Sequence, residues 1–149
     1  MITDLHSCKY GEKQNVLITA IDAEKPDIIL LGGDIFDDVI PNENAIYLLE
    51  AIGNRYPCYY VTGNHEVWSG ESHAIKVLVA SVGVTVLEGT SEIVQIDNNK
   101  IQISGIDHIS LFQLNTEGPN MIEQLESIQH NIDNRLYPIL LYHRPQDVK

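Results

Sequence analysis

The segment Cys58-Tyr59-Tyr60-Val61-Thr62-Gly63-Asn64-His65-Glu66 carries the strongest signal in this sequence for both fold and chemistry. Its first four residues form a short apolar run that is typical of a buried strand, and Thr62-Gly63 ends that run. An amide, an imidazole and a carboxylate follow at once. A turn without function would explain the glycine and the asparagine, but it would not explain the histidine and the glutamate. We therefore predict a functional site at the end of this strand.

Three other predicted strand ends carry side chains of the same kinds. Asp4-Leu5-His6 closes a first strand, in which residues two apart point the same way and can converge on one cation. Gly32-Gly33-Asp34 follows the apolar run 27–31, and His143 follows the run 138–142. Each set alone has an ordinary explanation, such as a turn aspartate or a buried structural histidine. Ligands collect beyond the carboxyl ends of strands in α/β folds, so we predict that the four sets meet.

The pattern between these strands indicates an α/β architecture with partly parallel sheets and flanking helices. Apolar residues recur at helical spacing in four segments, and two strand-like segments flank a turn-forming Asp97-Asn98-Asn99. We predict one domain over residues 1–149, without repeats or an internal linker. The predicted helices are Lys13–Glu24, Glu43–Gly53, Ser72–Val82 and Met121–Asn131, and the predicted hairpin strands are Glu92–Ile96 and Lys100–Ile106.

Composition narrows the classes of function. Asp and Glu outnumber Lys and Arg by 21 to 9, and the net charge of −12 argues against binding to a phosphate backbone, which needs a basic surface. Cys8 and Cys58 form no CxxC pair and no disulfide framework. No apolar stretch approaches the ~20 residues of a membrane span, and the pattern at Met1–Asp4 leads us to expect no signal peptide there. The sequence does not determine the cellular location. We expect the chain to be soluble as it stands, and the protein to be membrane-associated if a longer form carries an N-terminal anchor.

Taken together, these motifs resemble the calcineurin-like metallophosphoesterase superfamily, whose pattern is DxH…GDxxD…GNH[ED]…H…GHxH. Here the pattern is Asp4-Leu5-His6, Gly33-Asp34-Ile35-Phe36-Asp37, Gly63-Asn64-His65-Glu66 and His143, which spans nearly the whole chain. The resemblance implies a layered α/β sandwich. Asp4–Ser7 and 143–145 further resemble the bacterial group that includes membrane-associated phosphoesterases and lipid A precursor pyrophosphatases.

The resemblance also implies a set of roles. Asp4, His6 and a bridging Asp34 would hold one metal ion, and Asp34, Asn64 and His143 would hold a second ion roughly 3.5–4 Å away. A hydroxide shared by the two ions would attack phosphorus, and His65 would protonate the leaving group. Mixed oxygen and nitrogen ligands favour manganese, iron or zinc. The implied substrate is a small phosphorylated or phospholipid-like molecule.

Other polar residues near the motifs are candidates for supporting roles. One of Asp37 and Asp38 is expected to orient a ligand histidine, and the other to be solvated. Arg144 is expected to pair with the acidic surface, with a contact to a substrate phosphate as the alternative. His108 follows a hairpin strand and is a candidate substrate contact. Trp68 is expected to pack, with the mouth of the site as its alternative position.

The sequence departs from the family pattern at its end. The closing GHxH is absent before Lys149, and only three residues precede Asp4, so we expect a segment of a longer protein. Two other functions stay open: a non-catalytic metal-binding or scaffold protein on the same fold, and a nuclease. An intact His65 favours an enzyme, and the acidic charge disfavours nucleic acid. Oligomeric state and substrate identity are not indicated.

Overall fold

Three short parallel strands form the first sheet of the structure, a computed structural model that describes residues 1–114 and 119–144. The strands are β1 (Ile29–Leu31), β2 (Cys58–Tyr60) and β3 (Thr85–Val86), in that spatial order. Both neighbouring pairs are parallel. Ile2 extends the sheet by a single parallel bridge to Leu31. The carboxyl ends of all these strands therefore lie along one edge.

The second sheet also has three strands. β4 (Thr90–Ile96) and β5 (Asn99–Gly105) form an antiparallel hairpin, and β6 (Tyr137–Leu141) runs parallel to β5. The hairpin turns at Asp97, whose φ of 50° lies in the left-handed region that short hairpin turns require. The parallel pairing of β6 with β5 brings the end of β6 to the same edge as the end of β5.

Helices connect and cover the strands. α2 shows why they form: its buried side chains, Ala45, Leu48, Leu49 and Ile52, recur every three or four residues and so share one face. The helices are α1 (Asn15–Glu24), α2 (Glu43–Ile52), α3 (Asn64–Trp68), α4 (Ser72–Ser81), α5 (Ile109–Leu114) and α6 (Met121–His130). Among the described residues, none of these helices is both long and apolar enough to span a bilayer.

The first sheet is buried on both faces, which explains its continuous apolar runs. Successive strand side chains point to opposite faces. Tyr60 accordingly packs in the cluster that the first sheet shares with its helices. Tyr59 and Val61 pack in a second cluster, with Ile103 and Leu141 from the second sheet. The structure is therefore a layered sandwich, as predicted, in which the helices, the first sheet and the second sheet are successive layers.

Several element boundaries differ from the prediction. α1 begins at Asn15 rather than Lys13, because Lys13 and Gln14 have φ of 47° and 62°. Gln14 is fully buried, and its side chain accepts a hydrogen bond from Tyr10 N (2.7 Å) and donates one to Cys8 O (2.8 Å). These bonds take the place of the first helical turn. The short elements α3, α5 and β3 were not predicted, since two to six residues carry too little periodicity.

Candidate metal centre

Asp4 and His6 come together by a route that differs from the prediction. Their segment is not an extended strand: Asp4 has a φ of 54° and His6 a φ of 48°, both in the left-handed region. Backbone bonds from Asp4 N to Gly33 O (3.1 Å) and from His6 N to Asp34 O (2.9 Å) hold the segment beside the residues that follow β1. The alternation of side chains along a strand was therefore the wrong reason for the convergence. These backbone hydrogen bonds between residues distant in the sequence produce it.

Asp34 lies at the centre of the site. Its side chain is 4% exposed, and its Oδ2 lies 3.8 Å from His6 Nε2 and 3.3 Å from His143 Nε2. Its Oδ1 accepts a hydrogen bond from the backbone N of His65 at 2.9 Å. Burial raises the pKa of this carboxyl, but the bonds from His143 and from His65 N outweigh burial, so the pKa lies below its usual value. Asp34 is thus ionised and faces two imidazoles.

His143 is oriented by a bond on the far side of its ring. Nδ1 donates to Gly32 O at 2.8 Å, which directs Nε2 toward Asp34. Burial lowers the pKa of His143, yet the Asp34 and Gly32 bonds raise it overall. An imidazole whose Nδ1 is held by a carbonyl, with Nε2 free to coordinate, is the usual arrangement of a histidine metal ligand.

Asp37 and Asp38 each bind a histidine. Asp37 Oδ2 lies 3.2 Å from His6 Nδ1, so Asp37 orients the imidazole of a candidate ligand. Asp37 Oδ1 is held by backbone N–H groups of residues 39 and 40. One of the two aspartates was expected to be solvated only. Asp38 instead contacts a histidine, since its Oδ1 lies 2.6 Å from His65 Nδ1. The His65 imidazole is therefore oriented by its own carboxylate.

Glu66 is the principal site residue to which the sequence motif assigned no role. Its carboxylate is fully buried and accepts four backbone N–H groups. Oε2 accepts from Asp34 N (3.0 Å) and Gly63 N (2.8 Å), and Oε1 accepts from Ile35 N (2.8 Å) and Phe36 N (3.1 Å). Burial raises the pKa of Glu66, and the backbone bonds oppose that rise. The clamp joins the loop after β1 to the loop after β2.

Two glycines allow that close approach. A Cβ at Gly63 would collide with Asp34 Oδ1 and Asp34 N. Gly33 has a φ of 89°, and a Cβ there would lie 2.8 Å from both Gly63 and His143 Nδ1. The glycines of the two motifs are thus required by contact between the motifs themselves.

One cavity of about 460 Å³ gathers the predicted residues. Asn64, at the start of α3, and His65 lie on its wall, and Arg144 lies there too, consistent with a phosphate contact. His108 does not line it: this side chain is fully buried, and its ring centroid lies 5.8 Å from that of His143. The cavity is lined by Asp4, His6, Asp34, Asn64, His65, Trp68, His143 and Arg144.

The donor set fits divalent cations. Ligand atoms of Asp4, Asp34 and His143 lie within 4.8 Å of one another, as do those of His6, Asp37 and His65. His6 Nε2 also lies 3.9 Å from Asp4 Oδ1, so His6 connects the two groups. Ionised carboxylates this close repel one another unless a cation lies between them.

Comparison with known sequences identifies a family and several relatives. The sequence profile of the calcineurin-like phosphoesterases matches residues 1–147. An uncharacterized metallophosphoesterase of Aquifex aeolicus is 32% identical over 126 residues, which cover 83% of this chain and 45% of that protein. The metallophosphoesterase YkuE of Bacillus subtilis is 28% identical over 96% of this chain and 49% of its own length. The DNA double-strand break repair protein Mre11 of Methanococcus maripaludis is 28% identical over 80% of this chain and 33% of its own length.

A solved structure shares the fold. Phosphopantetheinyl hydrolase from Mycobacterium tuberculosis superposes with a TM-score of 0.61 at 13% identity, over 99% of this chain and 70% of that one. The chain spans a third to a half of the length of the three sequence relatives above.

Proposed function

This chain belongs to the calcineurin-like phosphoesterase family, and we propose that it hydrolyses a phosphate monoester, a phosphodiester or a pyrophosphate with the help of two divalent metal ions. The observation that carries the proposal is the position of Asp34. One buried carboxylate oxygen faces His6 Nε2 on one side and His143 Nε2 on the other. A bridging ligand between two metal ions needs this placement.

The hydrogen bonds of the histidines support the ligand sets that the family resemblance implies. Asp4, His6 and Asp34 would hold one ion, because His6 Nδ1 is taken by Asp37 and its Nε2 faces the other two residues. Asp34, Asn64 and His143 would hold the other ion. When bound, two such ions lower the pKa of water to supply a nucleophile and stabilise the charge on the phosphoryl group. Manganese, iron and zinc suit these donors.

His65 is the proposed general acid. Its Nδ1 is bonded to Asp38, so Nε2 is the ring nitrogen that can donate a proton, in the imidazolium form that carries a proton on both nitrogens. In the reaction a bond forms between the water oxygen and phosphorus, and the bond between phosphorus and the leaving oxygen breaks. The proton of His65 Nε2 goes to that leaving oxygen. The bond from His65 N to Asp34 Oδ1 ties the position of the acid to the metal-binding carboxylate.

Hydrolysis of phosphate esters with good and poor leaving groups tests these roles. With added Mn²⁺, we expect His65→Asn to lower kcat roughly 10²–10⁴-fold for an alkyl ester, whose leaving oxygen needs a proton. The loss should be much smaller for a p-nitrophenyl ester. Asp34→Asn should weaken Mn²⁺ binding in calorimetry and abolish turnover of both esters. His130→Asn, on an exposed part of α6, is the matched control. Wild-type turnover of the alkyl ester by His65→Asn would show that another group is the acid.

Nucleic acid is a second candidate substrate. The similarity to a relative named as a DNA double-strand break repair protein supports it. The net charge of −12 opposes it, since a polynucleotide would be repelled by an acidic surface. A non-catalytic scaffold on this fold is the remaining alternative. Incubation of the Mn²⁺-loaded chain with single-stranded DNA and with small esters separates the three functions. Cleavage of small esters alone supports the proposed phosphoesterase, cleavage of DNA alone supports a nuclease, and cleavage of neither supports a scaffold.

A further inference from the structure

Trp68 is a large apolar side chain that stands in a polar cavity. It is the only tryptophan of the sequence, it is 53% exposed, and it lines the same cavity as the candidate metal ligands. Its neighbour Val67, by contrast, is 2% exposed and packs inside. The sequence favoured packing for Trp68, and its exposure leaves much of the indole surface for another contact.

The indole lies beside the candidate general acid. His65 and Trp68 are three residues apart on α3 and therefore share a face. Their ring centroids are 5.2 Å apart, with the planes tilted by 49°. A leaving oxygen that takes the proton of His65 must lie at that imidazole. The group attached to the oxygen then extends over the neighbouring part of the wall, which Trp68 forms.

We propose that Trp68 is a stacking platform for a planar leaving group, and that the substrates are phosphate esters of single nucleosides. The proposal rests on the function proposed above. Aromatic faces bind nucleobases by stacking, and this contact tolerates any base because every base has a π-face. One indole offers room for one base, and the acidic surface disfavours a longer strand. The specificity is thus for a flat ring at the leaving group, with the phosphoryl group at the metal site.

Fluorescence of the single tryptophan tests the stacking contact without any turnover. Adenosine is titrated into the Zn²⁺-loaded chain with inorganic phosphate present, and ribose serves as the matched ligand without a base. Neither ligand can be hydrolysed at a phosphate ester. We expect saturable quenching by adenosine and none by ribose. Fluorescence that does not respond to adenosine would overturn the proposal, whether or not the chain is an active enzyme.

Kinetics with a second matched pair tests the effect on specificity. Adenosine 5′-monophosphate and ribose 5-phosphate share a primary alkoxide leaving oxygen and differ in the base. For Trp68→Ala we expect the ratio of their kcat/KM values to fall about ten-fold, which corresponds to about 1.4 kcal/mol. Trp68→Phe keeps an aromatic face and should retain most of the ratio. Tyr137→Ala, which removes an aromatic side chain that is 72% exposed at the start of β6, should leave the ratio unchanged.

The outcomes separate this proposal from the proposed function. An unchanged ratio in Trp68→Ala, with both esters still hydrolysed, overturns the stacking role and leaves the phosphoesterase standing. Hydrolysis of neither ester under any metal, with adenosine still quenching the indole, overturns the proposed function and the substrate class with it, and supports only the stacking contact at Trp68. An equal loss in Trp68→Ala and Trp68→Phe would show that the indole acts by packing against His65, which also overturns the proposal.

Discussion

The buried carboxylate of Glu66 gives the most direct test of how the site is assembled. In Glu66→Gln, one carboxylate oxygen becomes an NH₂ group of nearly the same size. Either orientation of the amide turns two of the four backbone N–H groups toward a donor: those of Asp34 and Gly63, or those of Ile35 and Phe36. Hydrogen bonds to a charged group contribute about 1.5–3 kcal/mol each, so the substitution should cost roughly 3–6 kcal/mol.

That cost is smaller than the stability expected for a chain of this length. A free energy of unfolding of roughly 0.05–0.15 kcal/mol per residue amounts to roughly 7–22 kcal/mol at this length. The variant should therefore still fold, with a Tm lower by roughly 10–20 °C, since about 1 kcal/mol shifts Tm by about 3–4 °C at this size. Urea and thermal unfolding followed by circular dichroism measure both quantities. Glu50→Gln, at an exposed position of α2, removes the same charge and is the control. Equal stability of the two variants would refute the clamp.

Three further predictions concern other groups of the chain. Cys8 is exposed and should react with a thiol reagent in the folded protein, whereas Cys58 should react only on unfolding. Burial raises the pKa of Cys58 from 9.0 to about 11, so between these pH values the folded form keeps a thiol proton that the unfolded form loses. The free energy of unfolding should therefore fall as pH rises from 9 to 11, which urea titration measures. Lys76→Met should cost about 3–5 kcal/mol in the same assay, because Lys76 Nζ lies 2.8 Å from the buried Asp107 carboxylate; a loss below about 1 kcal/mol would contradict this. Mn²⁺ at about 100 times its dissociation constant should stabilise the chain by about 2.7 kcal/mol for each occupied site, and a chelator should reverse the gain.

Much of the site follows from local sequence. The apolar runs before Gly32, Thr62 and His143 are short and bounded by turn residues, which makes the strands predictable. Parallel strands carry their carboxyl ends to one edge, so convergence of the polar residues at those ends follows from topology. Asp34 and Asn64 line one cavity for this reason, and His143 joins them because the second sheet, which carries it, packs against the first. The α/β class follows from the alternation of apolar runs with helical segments.

Tertiary structure decided the features that depend on contacts between distant residues. The left-handed backbone at Asp4 and His6 comes from bonds to the loop after β1, some thirty residues away, which no local propensity encodes. The Glu66 clamp likewise spans the sequence from Asp34 to Glu66, and only packing turned that carboxylate inward rather than toward solvent. The exposure of Trp68 was also beyond sequence, because a tryptophan is equally suited to a core and to a cavity wall. The sequence of this chain thus determined which ligand types lie at the strand ends. The fold determined how they are held and which side chains face a substrate, because those outcomes depend on neighbours far apart in the chain.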